Sequence, residues 1–182
     1  MNDDVEILQV RLIQQFLDEA EPIEWLVVVT NMNYDDGNEL AEWMASHPRL
    51  DRASALALYW YSQPGFMQEY PSEDDVPDVA RGGWRIVHRL QGRLTGGELV
   101  DGGIAFDPRD DDGQDWTGEA RNGADAAWQI PEELFRAVPG QEINTGDYAA
   151  DHEWEDGMPP AVWQVLEEAF DDEDDWDEDE DD

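Results

Sequence analysis

The chain has 182 residues, of which 47 are Asp or Glu and 10 are Arg, and it contains no lysine, so its formal net charge is -37. Such a surface repels phosphate backbones and anionic lipid head groups, which excludes direct nucleic-acid binding and binding to membranes. The absence of cysteine excludes disulfides and thiolate metal sites, and the acidic start without a long apolar run predicts a cytoplasmic protein.

The first half of the chain shows a series of helix patterns. Apolar residues recur at helical spacing over residues 5–17 and predict a first helix there. The dense apolar run after Pro22 fits a buried helix and a buried strand equally, because a short continuous run has no diagnostic period. Asp36 and Glu39 then have the spacing of a capping box and predict the start of another helix.

Two further helices are predicted before residue 98. Asp51 is expected to cap a helix that ends near Pro64, and the next helix runs over about residues 84–94 until Gly96 and Gly97 terminate it. The apolar faces of these segments predict four large core side chains, which are Trp43, Leu56, Tyr59 and Trp60.

The second half is poorer in helix patterns. Residues 98–123 are rich in Gly and Asp and are predicted to be mostly irregular, with a small hairpin at Asp101 and Gly102. Short helices are predicted over 131–138 and 160–170. Residues 171–182 hold eleven acidic residues and one tryptophan and are predicted to form a disordered tail. The predicted fold is therefore a mainly α, single helical globular domain over 1–170, followed by the acidic tail.

Three short elements lie in order between residues 31 and 64. The first is NMNYDDG over 31–37, the second contains Trp43 and Met44, and the third contains Asp51, Ala55 and Leu56. Together with the run RLTGGELVDGGIAFDP, they are similar to a bacterial family known as domain of unknown function 4274. Met32, Tyr34 and Leu50 depart from the usual tyrosine, tryptophan and cysteine of that family. The resemblance covers roughly the first two-thirds of the chain and implies a mainly helical cytoplasmic domain, but it implies no chemistry.

The NMNYDDG element has two interpretations. Asn33, Asp35 and Asp36 are residue types that form turns and caps between helices, and capping explains all three. The alternative is that they line a small polar pocket that binds a ligand. They are therefore candidate binding residues, although the structural interpretation is favoured.

Arginines recur every four residues at positions 81, 85, 89 and 93, which places neighbouring ones on one helix face. One interpretation is internal: the stripe pairs with the acidic body of the protein and relieves its self-repulsion. The other is a recognition face for a carboxylate-rich or phosphate-bearing partner, with Arg85 and Arg89 as candidate binding residues. The internal interpretation is favoured.

No metal, cofactor or catalytic residue is predicted. The segment 107–119 has some calcium-loop spacing around Gly113, but Pro108 falls where the first side-chain ligand is needed, so an acidic solvated loop is favoured. The three histidines lack zinc-like spacing, and the chain has no nucleophile elbow, phosphate loop or dinucleotide fingerprint.

The charge predicts the class of partner. We expect a non-catalytic, strongly acidic interaction protein that binds a basic protein, either as an immunity-like protein or as a polyanion mimic. The alternatives are a salt-adapted housekeeping domain and an uncharacterised hydrolase.

Overall fold

The computed structural model describes residues 3–34, 38–120 and 126–174. These residues form a mainly α fold, as the sequence predicts, with no extended strand among them. The described α-helices are α1 (Asp3–Leu17), α2 (Pro22–Asn31), α3 (Glu39–Ser46), α4 (Arg52–Tyr61), α5 (Pro64–Met67), α6 (Arg81–Gly96), α7 (Thr145–Asp151) and α8 (Pro160–Asp174).

Helix α4 is the centre of the core. Every residue from Ala53 to Trp60 is buried, and α2, α3 and α6 pack around this helix. The apolar run after Pro22 is a helix because its start is well specified: Pro22 occupies the first turn, and the Glu24 carboxylate accepts a hydrogen bond of 2.7 Å from the Glu21 N–H.

Asp51 caps α4, as predicted. One carboxylate oxygen accepts hydrogen bonds from the Ala53 and Ser54 N–H groups at 2.9 and 3.1 Å, and the other accepts one of 2.6 Å from Ser54 Oγ. Asp51 is only 1% exposed, and its burial raises the pKa of the carboxyl group. Gly102 lies so close that a Cβ there would stand 2.9 Å from Asp51 Cγ. The Gly/Asp-rich segment is thereby fixed over the start of α4.

The structure differs from the prediction in two details, the start of α3 and the burial of Trp43. Helix α3 begins at Glu39 with Asn38 as its N-cap, two residues after the predicted cap at Asp36, which lies outside the described residues. Trp43 is only partly buried, whereas the other three predicted core side chains are buried. Trp43 packs on the core edge, with its ring stacked on that of Trp25 at 5.7 Å.

The segment after α6 is mostly irregular, as predicted, but its tight turns are not at the predicted position, residues 101–102. Helix α6 ends at Gly97, which has φ 70°. The predicted hairpin at 101–102 is absent, and Val100 instead pairs with Asp51 in a parallel bridge. Tight Asp-Gly turns form at 112–113 and 156–157, where both residues have positive φ. This conformation suits hairpins and favours Gly and Asp.

The C-terminal helices also differ from prediction. Residues 131–138 contain only the 3₁₀ turn Glu132–Phe135, while the unpredicted helix α7 begins after Asn144, whose side chain accepts a 2.9 Å hydrogen bond from the Asp147 N–H. Helix α8 continues to Asp174, four residues into the predicted tail. Residues 175–182 lie outside the described residues, so their disorder stays a prediction. No helix in the described parts is long and apolar enough to cross a membrane.

Candidate functional site, a cavity between α1, α3 and α8

A cavity of about 590 Å³ opens between α1, α3, α8 and the loop that follows α2. This volume falls within the range of small-ligand pockets, roughly 300–1,000 Å³. Its walls are largely apolar, and the side chains that define them are Val10, Ile13, Leu40, Met158, Trp163 and Leu166. Val10, Leu40 and Trp163 are only partly buried, so the protein itself leaves apolar surface accessible here.

Carboxylates surround this apolar interior. Glu6 comes from α1, Glu39 from the first residue of α3, and Asp156 from the Asp-Gly turn before α8. Glu39 and Asp156 are exposed and Glu6 is half-buried. Among the described residues, no arginine forms an ion pair with any of the three. The cavity thus combines an apolar wall with an anionic rim.

The loop after α2 is held in place by Tyr34. The Tyr34 hydroxyl donates a 2.9 Å hydrogen bond to the Val29 carbonyl, and its ring lies 5.7 Å from that of Tyr61. Burial raises the pKa of Tyr34 well above its ordinary value, so the phenol stays neutral. This anchor sets the neighbouring Met32 and Asn33 at the edge of the cavity.

The opposite edge is set by the turn at 156–157. Gly157 has φ 76°, and a Cβ there would stand 2.9 Å from the Asn31 carbonyl oxygen. Only glycine permits both this backbone conformation and this close approach. The turn therefore lies directly against the end of α2 and closes one side of the cavity.

The structure separates the residues that the sequence singles out. Asn33 lines the cavity, whereas Asp35 and Asp36 lie outside the described residues. Neither Arg85 nor Arg89 is among the lining residues; both lie where α6 packs against α3.

The arginine stripe makes contacts inside the fold. Arg85 forms ion pairs with Glu42 of α3 at 2.7 Å and with Glu73 at 3.4 Å. Arg89 donates to the Ser46 hydroxyl, close to the end of α3. These contacts agree with the internal interpretation of the stripe.

Three arginines bind backbone carbonyls at the C-terminal ends of helices. Arg93 donates to the Ala45 and His47 carbonyls at 2.8 and 2.9 Å, at the end of α3. Arg49 donates to the carbonyl of Ala20 at 2.9 Å, just beyond α1, and Arg52 donates to that of Leu94 at 3.0 Å in α6. A cation is favourable at such ends because the unpaired carbonyls carry partial negative charge. Arg49, Arg52 and Arg93 thus use their charge to join helices through backbone carbonyls.

Several carboxylates of the acidic segment 107–119 accept structural hydrogen bonds, and that of Asp111 reaches α4. Asp111 accepts hydrogen bonds of 2.8 Å from both the Tyr61 hydroxyl and the Trp116 indole N–H. The hydrogen bond from Tyr61 ties the segment to the end of α4, and that from Trp116 closes the segment on itself. In the described part of the chain, no group of three or more His, Asp or Glu side chains is arranged to hold a metal ion.

Residues 20–95 match the model of the family described as Domain of unknown function (DUF4274). This segment belongs to that family. The match confirms the resemblance for the three elements between residues 31 and 64, and it ends at residue 95, near the start of the run over 93–108. No curated protein and no solved structure gives a significant match to the chain. The DUF4274 segment contains α2 to α6, including α4 at the centre of the core and the loop that carries Asn33.

The charge is divided unevenly by the borders of the DUF4274 segment. The segment carries twelve of the 47 acidic residues and six of the ten arginines, while residues 96–182 carry 30 acidic residues and three arginines. The cavity lies at the junction: α3 and the Asn33 loop belong to the DUF4274 segment, whereas α1, the 156–157 turn and α8 do not.

Sequence reasoning did not find the cavity. Its walls were visible only as ordinary apolar helix positions, such as Val10 and Ile13 in α1 or Trp163 and Leu166 in α8. Their spacing shows that they share a face, but whether that face is fully covered depends on how the helices meet.

Proposed function

We propose that this protein is a non-catalytic, acidic interaction protein that binds a basic protein partner in the cytoplasm. The observation that carries the proposal is the division of charge. The arginines of the DUF4274 segment are engaged within the fold, and the carboxylates that follow that segment face the solvent.

The exposure of the second region is nearly uniform. Of the 18 described acidic residues from 98 to 168, all are exposed except Asp107 and Asp111, which are half-buried. Arg136, one of the few arginines there, already pairs with Glu132 at 3.0 Å. Such a surface attracts cationic proteins over several ångströms and raises their association rate.

The charge also exceeds what solubility requires. A net charge with a magnitude of about 2–8 keeps a small domain soluble, whereas this chain carries -37. An immunity-like protein for a basic toxin and a polyanion mimic both need such an excess. A salt-adapted protein would also carry an excess of negative charge. Such a protein is expected to unfold in dilute buffer, however, and this separates it from the two interaction proteins.

The test begins with the full-length protein immobilised and exposed to a native lysate at low and moderate salt. A basic protein recovered at low salt is then purified and its association and dissociation rates are measured as sodium chloride is increased. We expect the association rate to fall steeply and the dissociation rate to change little. Recovery of no basic protein, or an association rate that is independent of salt, would contradict the proposal.

Matched charge variants test which part of the surface attracts the basic partner. The variant Glu133→Gln with Glu142→Gln removes two exposed charges from the acidic region, and Glu19→Gln with Asp74→Asn removes two exposed charges elsewhere. The first pair is expected to slow association at low salt more than the second. Equal effects would show that only the total charge matters.

A further inference from the structure

We propose that the cavity between α1, α3 and α8 receives an apolar side chain of the basic partner, with flanking lysines or arginines meeting the carboxylates at its rim. This inference rests on the proposed function and adds the place and the manner of binding.

The interior fits an apolar side chain. The cavity is about 590 Å³ in volume, and Val10, Leu40 and Trp163 present partly exposed apolar surface to it. Water against such walls lacks hydrogen-bond partners on the protein side, so its release on entry of an apolar group favours binding. These three side chains come from three different helices and do not close the gap themselves.

The rim decides which apolar group can enter. Glu6, Glu39 and Asp156 are contributed by three separate elements around the opening, and no described arginine pairs with them. Negative charge on all three would repel a fatty acid or an acidic peptide and would attract a cationic one. The occupant is therefore an apolar anchor flanked by cations, which is a common arrangement at the centre of protein interfaces.

Three synthetic peptides separate the two parts of this proposal. The first is short, rich in lysine and carries a central tryptophan. The second has serine in place of that tryptophan, and the third keeps the tryptophan but has glutamine in place of the lysines. Their affinities for the full-length protein are measured by titration calorimetry at low salt.

Cavity-filling variants test the location. Val10→Trp fills the cavity from α1, and Leu40→Trp fills it from α3. The matched control is Val79→Trp, because Val79 is 90% exposed and does not line the cavity. Circular dichroism melting curves establish that each variant is folded.

In the wild type, the tryptophan–lysine peptide is expected to bind about tenfold more tightly than the serine peptide, a difference typical of one buried anchor. Both filling variants should bring this ratio close to one, and Val79→Trp should preserve it. Without any substitution, the methyl NMR signals of Leu40 and Leu166 should shift with the tryptophan–lysine peptide and not with the serine peptide.

Each of the other outcomes contradicts a particular part of the two proposals. Equal binding of the two lysine peptides would overturn the cavity inference and leave the proposed function standing. Failure of both lysine peptides to bind would overturn both. Equally tight binding of the glutamine peptide would show a neutral ligand and overturn the cationic part. Unchanged signals of Leu40 and Leu166, or an equal loss of the ratio in Val79→Trp, would show that the anchor binds elsewhere.

Discussion

The DUF4274 segment and the region after it fold by different means. In the DUF4274 segment, regular apolar helices enclose α4, and arginines join the helices to one another. The region after residue 96 is attached through the bridge between Asp51 and Val100, the close approach of Gly157 to the end of α2, and apolar anchors such as Phe106, Leu134 and Met158. The comparison shows that a chain of this charge can fold when most of its acidic residues are kept at the surface of a region that supplies the smaller share of the core.

The largest expected effect is at Trp60, which links the two regions. It is 2% exposed, its indole N–H donates a 2.9 Å hydrogen bond to the Leu134 carbonyl, and its ring packs against Phe135 at 5.2 Å. Trp60→Ala should lower the free energy of unfolding by about 3–5 kcal/mol. Urea is the suitable denaturant, because guanidinium chloride would also screen the charges.

The control at the same position is Trp60→Phe, which retains a ring but removes the N–H donor. It should cost clearly less than the alanine variant, because much of the apolar contact remains. Two separate unfolding transitions in either variant would show that the two regions are not one cooperative unit.

The second largest effect is expected for the arginine contacts that join helices within the DUF4274 segment. Arg93→Met should lower the free energy of unfolding by about 1.5–3 kcal/mol, because two charge-assisted hydrogen bonds to the end of α3 are lost. Arg11→Met changes an exposed arginine of α1 and serves as the control, with little expected effect. Equal destabilisation in the two variants would mean that the arginines act only through net charge.

Asp51 joins the start of α4 to the Gly/Asp-rich segment, and its removal should have a somewhat smaller effect. Asp51→Ala should cost about 1–2 kcal/mol through loss of the helix cap. Asp51→Asn keeps an oxygen that can accept from the Ala53 and Ser54 N–H groups, so it should cost less near neutral pH.

The pH dependence of the asparagine variant tests the buried charge. Because burial raises the pKa of Asp51 in the folded state, its contribution to stability is present at low pH and is lost as the pH rises through the folded-state pKa. The stability of Asp51→Asn relative to the wild type should therefore improve with rising pH. A constant difference in urea titrations from acidic to neutral pH would show that the pKa is not raised.

The smallest expected effect comes from the acidic end of the chain. Truncation after Asp174 removes seven acidic residues and Trp176. The melting temperature should be unchanged at high salt and unchanged or slightly raised at low salt, because self-repulsion decreases. A clear drop at high salt would show that the removed residues contribute to the fold.

Local signals in the sequence were enough for much of the first half of the chain. The helical spacing over residues 5–17, the Asp51 cap and the glycine stop after α6 act within a few residues, so their consequences can be predicted without the rest of the chain. The same is true of the net charge, which follows from composition alone and from which a basic partner is predicted.

The tertiary structure decided everything that depends on distant neighbours. The half-burial of Trp43 and the bridge between Ile104 and Gln141 both depend on what packs against those residues. The cavity is the clearest case. In the sequence, Val10 and Trp163 are only apolar positions within helices. The way in which α1, α3 and α8 meet leaves a space beside them, because packing and not periodicity determines whether an apolar face is covered.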